Sequence, residues 1–147
     1  MLFRHRLISR EDEWKIVASI KEAELNTSGE IRVHIESVCE EADPIARAVY
    51  LFNELGMYRT KARNGVLIYV ALKSHLFAII GDTGIDAVIP KGFWNEIKVS
   101  LAEDFRNGEV ADGIRKAVLA TGELLKKEFP YREDDVNEQS DEISFGK

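Results

Sequence analysis

Two carboxylates four residues apart, Asp82 and Asp86, flank Gly84 in the run Gly81-Asp82-Thr83-Gly84-Ile85-Asp86. Carboxylate and carbonyl oxygens are what a hard divalent cation requires, and calcium takes roughly six to eight of them. A glycine between the acids lets the loop turn its carbonyls inward. Glu30 and Asn64, at the starts of neighbouring segments, can add oxygens. The expected ligands of calcium or another divalent cation are therefore Asp82, Asp86, Glu30 and Asn64. There is no Asp-x-Asp-x-Asp-Gly loop, and the alternative is that Asp82 forms a turn and Asp86 caps a short turn or helix.

Arg59, Lys61 and Arg63 lie in the loop that adjoins these acids. A metal held by Asp82 and Asp86, with Arg59 or Arg63 on a phosphate, would make a metal-assisted phosphatase; the plainer account is a solvated loop that balances nearby acids. Other chemistry has less footing. His5, His34 and His75 lack paired spacing for zinc. Cys39 precedes Glu40 and Glu41, which favour the thiol over the thiolate. Ser28, Ser37 and Ser74 have no nucleophile-elbow context. The acidic loop over residues 36–43, with Glu36, Glu40, Glu41 and Asp43, is a second place for a cation; the plainer account is a solvated loop and a helix cap.

Positioning these residues falls to seven elements. Ser9 caps a helix whose apolar residues are Trp14, Ile16, Val17, Ile20 and Ala23. Residues 30–36 alternate strictly, with Ile31, Val33 and Ile35 on one face of a strand and Glu30, Arg32, His34 and Glu36 on the other. Asp43-Pro44 starts a second helix, with Ile45, Ala48, Val49, Phe52 and Leu55 on one face and Gly56 at its end. Residues 66–72 are continuously apolar, as in a strand covered on both faces. Lys73-Ser74 then turns the chain into a return strand over 75–80. Phe93, Ile97, Leu101 and Phe105 mark a third helix, and Ile114, Val118, Thr121 and Leu125 a fourth. The order α-β-α-β-β-α-α predicts an αβα sandwich, a small mixed β-sheet with helices on both faces. A crossover through a helix makes the first two strands parallel, and the hairpin makes the third antiparallel. That arrangement brings Glu30, Asn64, Asp82 and Asp86 to one sheet edge.

At 147 residues the chain fits one domain, and its 45% hydrophobic and 31% charged composition excludes a disordered chain or a fibre. Its net charge of -6 argues against nucleic acid as a partner. No uncharged run is long enough to insert in a membrane. The start, MLFRHRLISREDEW, has no apolar signal segment. The single cysteine excludes an internal disulfide and suits a reducing cytoplasm. Seven of the acids and only two bases lie in residues 128–147. The expected division is a domain over 1–131 and a mobile acidic tail over 132–147, which either solubilises the chain or docks a basic protein partner.

The runs Leu51-Phe52-Asn53-Glu54-Leu55-Gly56, Asn64-Gly65-Val66-Leu67-Ile68, Ile80-Gly81-Asp82-Thr83-Gly84-Ile85 with Pro90, and Phe105-Arg106-Asn107-Gly108 with Asp112-Gly113-Ile114 resemble, in order and spacing, the TPM domain family over residues 9–127. The resemblance implies an αβα sandwich, and it points to calcium binding or to weak phosphatase activity, both found among members. Many members carry an acid before the Asn-Gly pair, where this chain has Arg63, and many carry a secretion signal and a membrane-spanning or glycine-rich tail that this sequence lacks. The expectation is a stand-alone, soluble, bacterial-type member that binds calcium without catalysis, the ion ordering its loops.

Overall fold

The computed structural model describes residues 7–131 and 142–147. Helix α1 (Arg10–Glu24) is capped by the Ser9 hydroxyl, which accepts from the Asp12 amide at 3.0 Å, and carries three acids in its first turn. Strand β1 (Glu30–Glu36) leads through an acidic loop to α2 (Pro44–Glu54), where Asp43 accepts from the Ile45 amide at 2.9 Å. Gly56, at φ +68°, ends α2 and opens a 3-10 turn over Met57–Arg59. Strands β2 (Gly65–Ala71) and β3 (Leu76–Gly81) form the hairpin. Its connection is four residues long, 72–75, rather than two, and His75 adopts φ +57° to close it. Helices α3 (Thr83–Asp86), α4 (Phe93–Arg106) and α5 (Val110–Glu128) follow, and β4 (Ser144–Phe145) ends the series.

The strand order is β3-β2-β1-β4, with β1 parallel to β2 and to β4 and β2 antiparallel to β3. The alternation in β1 decides the layers. Ile31, Val33 and Ile35 join Val66, Ile68 and Val70 beneath α1, α4 and α5. Leu67, Tyr69 and Ala71 face Ala48, Leu51 and Phe52 of α2 and Met57 of the turn that follows it. The fold is thus an αβα sandwich, with three long helices on one face and α2 on the other. Among the described residues, no helix is long and apolar enough to cross a membrane.

Three expectations change. Trp14 is 71% exposed on the outer side of α1, and Ile45 and Val49 are exposed on α2. Ala48, Leu51 and Phe52 suffice to seat α2, so its apolar face is wider than its contact. Of the tail expected to be mobile over 132–147, residues 142–147 lie packed against the body. Ile143 is buried in the larger core and Phe145 packs against it, while Gly146 donates to the Ile35 carbonyl at 2.8 Å and Ser37 to that of Lys147 at 2.8 Å. Averaged composition hid the short alternation Ile143-Ser144-Phe145, whose two apolar side chains favour docking. Residues 132–141 of that tail lie outside the described residues. Because Ile143 fills core space, Ile143→Ala should cost about 2 kcal/mol. Urea denaturation reads this as a lower midpoint at unchanged slope, and an unchanged midpoint would show that residues 142–147 carry no packing.

Candidate functional site

Strand pairing brings the expected ligand residues to one edge. Glu30 is in register with Gly65, Asp82 donates its amide to the Gly65 carbonyl at 2.9 Å, and Glu30 donates to the Asn64 carbonyl at 3.3 Å. Glu30, Asn64 and Asp82 are all buried. The expected edge therefore forms, and a basic residue is built into it. Arg63 grips Asp82 with two parallel hydrogen bonds, Nε to Oδ2 at 2.8 Å and Nη2 to Oδ1 at 2.9 Å. Asp82 Oδ1 also accepts from the Thr83 amide at 2.7 Å, capping α3. The hydrogen bond to Asp82 pushes the Arg63 pKa up, against the opposing effect of desolvation.

The two loops at this edge are locked to each other. Arg63 takes φ +52°, and its carbonyl accepts from the Gly84 amide at 2.8 Å. A Cβ at position 84 would overlap the carbonyl oxygens of Ala62 and Arg63, so only glycine fits there. The Asn64 carboxamide donates to Ser28 Oγ at 3.3 Å, and its Oδ1 is buried without a hydrogen-bond partner among the described residues. Asp86 is exposed on α3. Among the described residues, no three His, Cys, Asp or Glu side chains gather closely enough to hold a metal ion; Glu30, Asp82 and Asp86 share an edge without forming a three-carboxylate cluster. His34 sits in β1 and His75 in the hairpin turn, while His5 lies outside the described residues.

A second polar cluster lies toward the other end of β1, and sequence reasoning missed it. Glu36 is buried and bound by Arg47 of α2, Nε to Oε2 and Nη2 to Oε1, both at 2.9 Å. The Tyr69 hydroxyl donates to the same carboxylate. His34 Nδ1 lies 2.8 Å from Ser144 Oγ, its Nε2 lies 3.5 Å from Glu36 Oε1, and its ring stacks against Tyr69. Burial alone would raise the pKa of Glu36, but the hydrogen bonds from Arg47 and Tyr69 outweigh it and hold the carboxyl below the usual range. Burial, then Glu36, pushes the Tyr69 phenol up. Burial pushes His34 down, against the pull of Glu36. The signal available in the sequence was the pair of polar residues, His34 and Glu36, on one face of a strand; the crossing of Arg47 over them was not.

The sequence profile of the TPM domain matches residues 4–124. The chain belongs to the TPM domain family. The NMR structure of the BA42 protein from the psychrophilic bacterium Bizionia argentinensis is similar to this TPM domain, with a TM-score of 0.88 and 40% identity over 99% of this chain and 100% of that one. Two further solution structures share the fold alone. The N-terminal domain of the Corynebacterium glutamicum protein cg2496 has a TM-score of 0.64 and 14% identity, over 93% of this chain and 80% of that one. The N-terminal domain of a P. gingivalis protein has a TM-score of 0.68 and 22% identity, over 86% and 83%. No curated protein matches this TPM domain significantly.

The geometry ranks the residues of the second cluster. Glu36→Ala strands a largely buried guanidinium and the Tyr69 hydroxyl and should cost about 3 kcal/mol, whereas Tyr69→Phe leaves the ion pair intact and should cost about 1 kcal/mol. Equal losses in chemical denaturation would show that the Arg47 pair does not dominate.

Proposed function

We propose that this TPM domain is a non-catalytic module that takes up a divalent cation, calcium in preference to magnesium, at the edge formed by Glu30, Asn64 and Asp82. The observation that carries this reading is the Asn64 Oδ1 atom, a buried acceptor with no donor among the described residues. Such an atom costs about 1–3 kcal/mol when left unmade, and a cation is a partner that relieves it. Asp82 supports the reading from the other side. Its side chain is 3% exposed and its charge is balanced by an arginine that is 48% exposed, so that counter-charge can swing into water without unfolding anything. The ion would take the place of the Arg63 guanidinium, and binding is weakened by the ion pair it must break. Since the loops already hold each other through Gly84 and Arg63, the ion's role is a change of local charge and of the Arg63 position, and ordering the loops is secondary.

The phosphatase alternative asks Asp82 to ligate a metal while Arg63 holds phosphate, and the pairing of these two residues ties up both groups. Thermal melting in calcium and in chelator tests the main reading. Calcium at about a hundredfold excess over its Kd should stabilise the fold by about 2.7 kcal/mol, magnesium should do less because it holds its waters in tight octahedral geometry, Asp82→Ala should abolish the response, and Arg63→Gln should strengthen it. Identical melting with and without calcium in both the parent and Arg63→Gln would overturn it. Turnover of an aryl phosphate that disappears in Asp82→Ala would replace it with the phosphatase.

A further inference from the structure

The second polar cluster is closed by the strand that sequence composition concealed. Ser144 Oγ lies 2.8 Å from His34 Nδ1 and donates to the Val33 carbonyl at 3.3 Å. Gly146 runs so close above the cluster that a Cβ on it would overlap Glu36 Oε1 and crowd His34 Nε2. The strand itself pairs through only two residues, Ser144 and Phe145. A short edge strand held by few bonds and seated by two apolar side chains, Ile143 and Phe145, still opens at lower cost than the interior strands of the sheet. Beneath it lies a histidine that is 5% exposed and whose Nε2 has no hydrogen-bond partner among the described residues.

We propose that residues 142–147 form a histidine-gated strap, released from β1 when His34 takes up a proton, so that the His34–Glu36–Arg47–Tyr69 cluster and the outer edge of β1 become accessible.

The charges around the ring set the direction. On β1 itself His34 faces Glu36 and Arg32, from β2 it faces the neutral Tyr69 phenol, from α2 it faces Arg47, and Glu142 at the start of the strap acts on Arg32. Both oxygens of Glu36 already accept from Arg47, and Oε2 also accepts from Tyr69, so an imidazolium here adds a buried positive charge beside two arginines with its natural counter-ion spent. Burial lowers the His34 pKa in the docked state. A group whose pKa is lowered by docking binds its proton better once released, so docking is complete above the ordinary histidine pKa of about 6.5 and is lost as pH falls below it.

Amide hydrogen exchange on the whole chain, corrected for the intrinsic pH dependence of exchange, tests this. Protection of the Gly146 and Ser37 amides should fall by up to about tenfold as pH drops from about 7.5 to about 5.5, one unit below the ordinary histidine pKa, while amides of the β2–β3 hairpin keep theirs. His34→Asn, which does not titrate, should remove the pH dependence. Gly146→Ala should release the strap at every pH with the body folded, and it should raise the His34 titration midpoint seen by NMR toward its ordinary value, since the coupling is reciprocal. Constant protection in the parent chain, the same pH dependence in His34→Asn, or an unchanged His34 midpoint in Gly146→Ala would each overturn the strap; if His34→Asn fails to fold, the Gly146→Ala titration decides.

Discussion

A carboxylate buried in the middle of a protein must be answered, and in this TPM domain the answer to Glu36 organises one whole layer. Removing such a charge from water costs several kcal/mol, and the cost is recovered only with well-made partners. Arg47 supplies a bidentate pair and Tyr69 a hydroxyl. Those three bonds join three elements, β1, β2 and α2. The helix on this face has a short apolar seat of Ala48, Leu51 and Phe52, so the ion pair fixes which turn of α2 lies over which residue of β1. The hydrophobic contact alone would tolerate sliding; the guanidinium, with its fixed fork, does not.

The same device recurs toward the other end of the sheet with the opposite emphasis. Arg63 also holds a buried carboxylate by two parallel bonds, but its side chain is 48% exposed against 26% for Arg47. One pair is the more enclosed, between β1 and α2, and the other is open to solvent along half of its arginine. That difference separates a clamp from a counter-ion that solvent can reach.

The periodicities made the frame legible. Strict alternation in residues 30–36, the apolar run at 66–72 and the helical spacing of Ile97, Leu101 and Phe105 each carry one unambiguous period, and the crossover rule then placed Glu30, Asn64 and Asp82 on a common edge. What escaped were features set by a single local geometry. Helix α3 spans four residues around a glycine and reads as a loop. Ile143 and Phe145 are two apolar residues set among acids, and a composition average discards them. Trp14 sits at a core-like spacing, yet α1 meets α5 through Ile16, Ile20 and Ala23 and leaves it outside. The Arg63–Asp82 pair depends on a left-handed backbone at Arg63, a conformation that side chain type does not announce. Both clusters were thus visible as residues and invisible as partnerships.

The position of β4 also constrains the order in which the sheet can be assembled. His34 and Ser144 are separated by 110 residues, whereas Ala71 and Leu76 close the hairpin across a turn. Closing the longer loop from an unstructured chain costs about 3 kcal/mol more in chain entropy, and two strand residues cannot recover that unaided. Thr27 changes the balance, because its hydroxyl meets the carbonyls of Leu125 and Phe129 and so fastens the start of β1 to the end of α5. Once that knot is tied, the distance left to span shrinks to the stretch after residue 129. Docking of α5 beside the start of β1 therefore lowers the chain entropy that pairing the fourth strand must overcome.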